Sequence, residues 1–166
     1  MSTKSTVQRN FFPLLCWDVI SSQRELMVEG LRKNLDINEL SNMSEKKGWV
    51  FNWKELVDKS YDAIVVTDTK RKILWVNDGF KDMTGYPKSF ALGRTPNFLQ
   101  GKETNESSRQ AIRNKLSVGD SFTQQVVNYK QDQSPYVCEI TIYPVKNNRH
   151  EIEAFLALER EIRQAG

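Results

Sequence analysis

The sequence predicts an α+β fold: a five-stranded antiparallel sheet with helices gathered on one face, plus an N-terminal helical extension. Three observations predict it. Apolar residues of the first part of the chain recur at helical spacing. From Asp62 onward two short runs are β-branched and apolar, as strands are. Helical segments follow these two runs, and three more strand-like runs close the chain.

Each element has its own signal. Val19, Ile20, Leu26, Met27, Leu31 and Leu35 mark a helix over 18–35, with Asp18, Ser21 and Ser22 competing as its cap. Residues 1–15 mix Ser, Thr, Asn and Pro and are expected to be loosely ordered. A second helix is expected over 38–47, and a third in WKELVDKS (53–60), capped by Asn52. DAIVVTD (62–68) and RKILWVN (71–77) read as strands about the polar turn TKRK. DGFKDMTGY (78–86) is a short helix closed by Gly85, where a left-handed ending costs little. ETNESSRQAIRNKLSVG (103–119) starts acidic, turns basic and meets a glycine, the order the helix dipole favours. Strands are expected over 121–130, 134–145 and 151–161, joined by QDQS and KNNR. The Asn-Asn pair of the second turn tolerates positive φ. The chain thus divides into a helical extension (1–51) and a sheet domain (52–163).

Composition excludes several function classes. The 166 residues are 39% hydrophobic and 27% charged, as in a folded soluble domain. A net charge of +3, from 24 basic and 21 acidic residues, is too balanced to imply nucleic acid. The densest basic cluster, Lys70-Arg71-Lys72, reads as a solvated turn. No apolar run approaches the ~20 residues of a membrane span. Pro13 and Asp18 interrupt the apolar N-terminal patch, which is read as no signal peptide. Cys16 and Cys138 have no metal spacing, and the one histidine, His150, sits in a polar turn. No metal site, haem or catalytic residue is expected, the chain is not read as an enzyme, and a cytoplasmic location is expected.

WVNDGFKDMTGY (75–86) and GRTPNFLQG (93–101), in this order of elements, resemble a PAS domain, most closely its flavin-binding light-oxygen-voltage (LOV) subclass. The resemblance covers about residues 58–162. It implies a small-molecule pocket between helices and sheet. LOV photoreceptors typically carry GRNCRFLQG, whose cysteine attacks the excited flavin. Pro96 takes that cysteine's place, so no adduct is expected from that position. Thr95 replaces an asparagine that touches the flavin ring, and Asn97 an arginine that pairs with its phosphate. Gln100 is retained, and Arg113 matches the second phosphate-binding arginine by its spacing. Asn128 matches the first ring-binding asparagine; Cys138 replaces its partner. Glu159 replaces the glutamine whose amide flips in signalling. Val65, Thr67, Ile140 and Phe155 complete the expected pocket.

These replacements weaken a flavin site. A thiol hydrogen-bonds weakly where an amide would offer donors and an acceptor. An ionised Glu159 would face flavin carbonyl oxygens with acceptors only. Each polar group buried without a partner costs about 1–3 kcal/mol. No cofactor is therefore expected, with flavin mononucleotide (FMN) the disfavoured alternative. Blander roles compete: Arg113 paired with Glu103 or Glu106, Gln100 and Asn128 satisfying backbone groups, and Cys138 acting as a small hydrophobe.

If Asn128 points inward, alternation puts Val127, Tyr129, Tyr143, Ile152, Leu156, Leu158, Ile64 and Val66 on the other sheet face. So large an apolar surface needs a cover. The helix over 18–35 is the candidate, from the same chain or from a partner. The chain is read as a stand-alone, bacterial-type sensory or interaction module. It is expected to form a homodimer through this face and the N-terminal helix, or to contact a signalling protein, with no nucleic-acid or membrane partner. A flavin photo- or redox sensor without the adduct cysteine and a ligand-free scaffold are the alternatives.

Overall fold

A computed structural model describes residues 14–56 and 58–162, with side chains from Val19 onward. Cys16, Trp17 and the expected cap Asp18 lie outside the described side chains, and residues 1–13 outside the described chain.

One helix, α1 (Leu14–Lys47), replaces the two expected over 18–35 and 38–47. No proline interrupts it, and its one glycine, Gly30, does not break it. The apolar pattern breaks near Asp36 because the helix changes the side it uses. Leu35 is 63% exposed, whereas Ile37 and Leu40 are buried. Leu35 and Ile37 project about 200° apart around the axis, so the two halves of the stripe face different surroundings. Gly48 (φ 71°) ends the helix, and the two-residue strand β1 (Trp49–Val50) follows. Among the described residues of the expected third helix, WKEL alone is helical, as a 3₁₀ turn over Trp53–Leu56.

The hairpin β2 (Ala63–Asp68) and β3 (Ile73–Val76) leads into α2 (Asp78–Thr84). The Asn77 carboxamide accepts from Phe80 N–H to start α2, and Gly85 (φ 78°) ends it as expected. After α3 (Lys88–Ala91), Pro96 opens a 3₁₀ turn over Pro96–Leu99. Thr95 is extended (φ −86°, ψ 151°), as a residue before proline prefers. Then come α4 (Glu106–Val118), β4 (Phe122–Tyr129), β5 (Pro135–Asn147) and β6 (Ile152–Glu161).

The antiparallel sheet runs β3-β2-β6-β5, with β4 and β1 on the free side of β5. The five expected strands are all present, and β1 adds a sixth by pairing Trp49 with Asn147. Its edge at β3 is closed by the chain itself: Gly93 N–H donates to Ile73 O and Ile73 N–H to Arg94 O, both at 2.8 Å. Positive φ in the hairpin turns falls on Arg71 (65°), Gln133 (69°) and His150 (62°), not on the Asn-Asn pair.

Both sheet faces are buried. The inner face packs Ala63, Val65, Cys138, Ile140 and Ile142 against Phe80, Met83 and Leu99. The outer face packs Ile64, Val66, Val145, Leu156 and Leu158 under Ile37, Leu40, Trp49, Trp53 and Leu56. The cover is therefore the chain's own segment 37–56, not the helix over 18–35.

That cover corrects the expected partner surface. Ile64, Val66 and Leu156 have no exposure, Leu158 has 5%, and Tyr143 is half-buried against the same cluster. Tyr129 curls around the β4 edge, its ring against Gly101 and its hydroxyl accepting from Glu103 N–H at 2.9 Å. Val127 is half-buried beside it, its carbonyl accepting from the Thr104 hydroxyl. Ile152 leaves the outer face because of a bulge. Val145 pairs with Ala154 but Lys146 with Ile152, so Glu153 is an extra residue and the alternation inverts. The Ile152 Cδ1 then lies 2.7 Å from where a Cβ on Gly119 would stand, against the end of α4.

Candidate functional site

A cavity of about 130 Å³ lies between the inner sheet face and α4. Of the residues singled out in the sequence, Val65, Thr67, Pro96, Gln100, Arg113, Asn128, Ile140, Phe155 and Glu159 line it. Thr95 and Cys138 do not. Thr95 precedes the 3₁₀ turn rather than joining it. Cys138 is fully buried in the inner core, and its burial pushes the thiol far above its ordinary range.

Several lining residues escaped sequence reasoning although their signals were present. Arg109, Ile112, Arg113 and Leu116 all line the cavity, and their i, i+3, i+4, i+7 spacing marks one helix face. Val126, Ile142 and Ala157 follow by alternation from Asn128, Ile140 and Phe155. Arg71 had no such signal. It reaches the cavity from the β2–β3 turn, where its backbone is left-handed.

The floor is unusual. Glu159 is only 4% exposed on the central strand β6, between Ala63 of β2 and Ile140 of β5. The sole hydrogen bond to its side-chain carboxyl among the described residues comes from the Cys138 thiol, at a long 4.0 Å. Burial raises the carboxyl to about 7, so it holds its proton where a surface glutamate would not. Asn128, also buried, stands with it in the lining.

The rim is basic and partly satisfied. Arg109 Nη1 donates to Gln100 Oε1 at 3.2 Å, and both Arg109 and Arg113 pair with Glu106. Arg113 also donates to Gln110. Arg113 thus has the partner on its own helix that the blander reading offered. Arg109 Nε is buried without a partner. The Pro96–Leu99 turn is held by a ring cluster, with Phe98 5.0 Å from Tyr86 and 5.2 Å from Phe90 between centroids.

A larger, open groove of about 500 Å³ lies between α1 and the core. Its charges are mostly taken up internally. Arg32 meets Asp82 at 3.6 Å, Lys88 meets Asp78 at 2.9 Å, and Glu39 accepts from Trp75 Nε1 at 2.9 Å. It is a polar clasp between helix and core. No helix among the described residues is long and apolar enough to cross a membrane.

Comparison with known proteins agrees with this architecture. The family model described as PAS domain matches residues 62–164. Phototropin-2 of rice is 29% identical over 112 residues, which are 66% of this chain and 12% of that protein. A blue-light photoreceptor of Listeria monocytogenes is 31% identical over 103 residues, 60% of this chain and 40% of that protein. The chain therefore spans well under half of either relative. Among solved structures, the PAS domain of the fruit-fly ELK potassium channel superposes with a TM-score of 0.60 at 28% identity, covering 67% of this chain and 94% of that one. The match covers more than half of the chain and falls on its sheet and pocket-bearing helices, so this chain belongs to the PAS domain family and is a sensory module related to LOV photoreceptors and to ion-channel PAS domains.

Proposed function

We propose that this PAS domain signals without a flavin adduct, through α1 and a second copy of the chain. The observation that carries the first part is Pro96. It stands on the cavity wall at the head of the 3₁₀ turn and has no thiol to offer. The nearest described cysteine, Cys138, is buried outside the lining with its thiol held neutral.

The residues present do not fit a flavin. Ligand sites for drug-sized molecules are typically about 300–1,000 Å³, and this cavity is about 130 Å³. Ile112, Leu116, Ile140, Ile142 and Phe155 occupy its walls. The Glu159 carboxyl stands where the resemblance places a signalling amide. An absorption spectrum of freshly purified protein tests the reading. A colourless protein that releases no flavin on denaturation is expected; a flavin spectrum near full occupancy overturns it.

The second part rests on α1. Beyond the clasp, Ile20, Met27, Leu31 and Leu35 are 59–70% exposed along one side of the helix. This side, rather than the covered sheet face, supports the homodimer reading.

A further inference from the structure

Resting on the reading that no flavin occupies the cavity, we propose that it takes a small organic acid: a carboxylate on a body of one ring or a branched chain, with a hydrogen-bond donor at the opposite end. Three features of the lining select this chemistry, each from different residues.

The first is size. A cavity of about 130 Å³ compares with the ~150 Å³ apolar cavity that accepts benzene. One six-membered ring fits. Val65, Leu99, Ile112, Leu116, Val126, Ile140, Ile142 and Phe155 supply apolar walls for it.

The second is the floor. A buried carboxyl is normally paired or fully hydrogen-bonded. Glu159 has one thiol contact, at 4.0 Å, and otherwise faces the cavity. A hydroxyl or amino group on the ligand can donate to the carboxyl's unpartnered carbonyl oxygen and accept from its O–H, and the Asn128 carboxamide, elsewhere in the lining, can both donate and accept.

The third is the entrance. Arg71, Arg109 and Arg113 line it, against one carboxylate, Glu106, that two of them share. No ion pair among the described residues takes up Arg71, and the buried Arg109 Nε has no acceptor. The exposure gradient fixes the ligand's direction. Glu159 is 4% exposed, whereas the Arg109 and Arg113 side chains are 32% and 40% exposed. The donor end goes in first and the carboxylate stays at the arginines, where a planar guanidinium matches it.

The probes are 4-hydroxybenzoate and 4-aminobenzoate, with benzoate lacking the donor and phenol lacking the acid, titrated calorimetrically into the full chain. Saturable one-to-one binding of a two-ended probe is expected, at least about tenfold tighter than benzoate or phenol. Glu159→Leu keeps the fold by completing an apolar wall and should erase the advantage over benzoate. Arg109→Met should erase the advantage over phenol, and circular dichroism checks that both variants are folded. Absence of binding by every probe to colourless protein overturns this inference and leaves the flavin-free reading standing. Equal binding to wild type and Glu159→Leu overturns it too. A protein that purifies yellow fails the flavin-free reading instead, and this inference falls with it.

Discussion

The Asp36 carboxylate accepts from Asn77 Nδ2 at 2.9 Å and so ties the N-terminal helix to the first helix of the sensory core. Asn77 is engaged on its other side as well. Its Oδ1 accepts from Ile64 N–H at 2.9 Å and from Phe80 N–H at 3.1 Å, joining β2 to the start of α2. Tyr61 donates to the same Asp36 carboxylate at 3.2 Å. A shift of α2 against β2 would therefore move Asp36 and the helix that carries it.

Removing Asn77 should cost stability as well as coupling. Asn77→Ala strands two backbone donors in the core and removes a helix cap, for a loss of about 3 kcal/mol. Urea unfolding measures it, and a loss below about 0.5 kcal/mol, the level of an ordinary surface substitution, would contradict the assignment. Asp36→Ala should leave the core intact and speed amide exchange along α1. Unchanged exchange in that helix would show that the clasp does not hold it.

Glu159 predicts a pH dependence of known sign. Its carboxyl is raised by burial from an ordinary 4.5 to about 7. Between these values the unfolded chain has released a proton that the folded chain keeps, so stability falls as pH rises and levels off above 7. Cys138 and Tyr136, which face it, are pushed upward and stay neutral in this range. The stability of Glu159→Gln relative to wild type should grow by about 3 kcal/mol from pH 4.5 to above 7. A flat difference would mean that the carboxyl finds a partner or water.

Two glycines should respond oppositely to alanine. A Cβ on Gly79 would collide with the carbonyl oxygen of Asp62, which is backbone and cannot swing aside. Gly79→Ala should lose about 3 kcal/mol or fail to fold. Gly30 is exposed in α1 with nothing within 4 Å of such a Cβ. Gly30→Ala should gain about 0.5–1 kcal/mol through helix propensity. Thermal unfolding of the pair checks both, and a stable Gly79→Ala would refute the packing of α2 on β2.

The dimer has a test away from the core. Leu156 has no exposure, so a charge there would unfold the domain and report nothing about association. Leu31 is 60% exposed on the free side of α1. Sedimentation should find wild type dimeric and Leu31→Glu monomeric with an unchanged circular dichroism spectrum. A wild-type monomer, or a Leu31→Glu dimer of undiminished affinity, would remove α1 from the interface.

The sequence by itself determined the order of strands and main helices from Asp62 onward, the alternation that turns Asn128, Ile140 and Glu159 to one face, and the proline at position 96 where the resemblance places a cysteine. These depend on residue type and on periods of two and of 3.6, which are local. Only the tertiary structure decided what the alternation meets. The bulge at Glu153 inverts the face of Ile152, and the Gly101 loop draws Tyr129 around the β4 edge. Segment 37–56 buries the surface assigned to a partner, because the helix changes sides at Asp36 and Trp49 and Trp53 follow it onto the sheet. The cavity's size was likewise decided there, by how α4 and the Pro96 turn settle on the sheet. Contacts between distant segments set such features, and no local period records them.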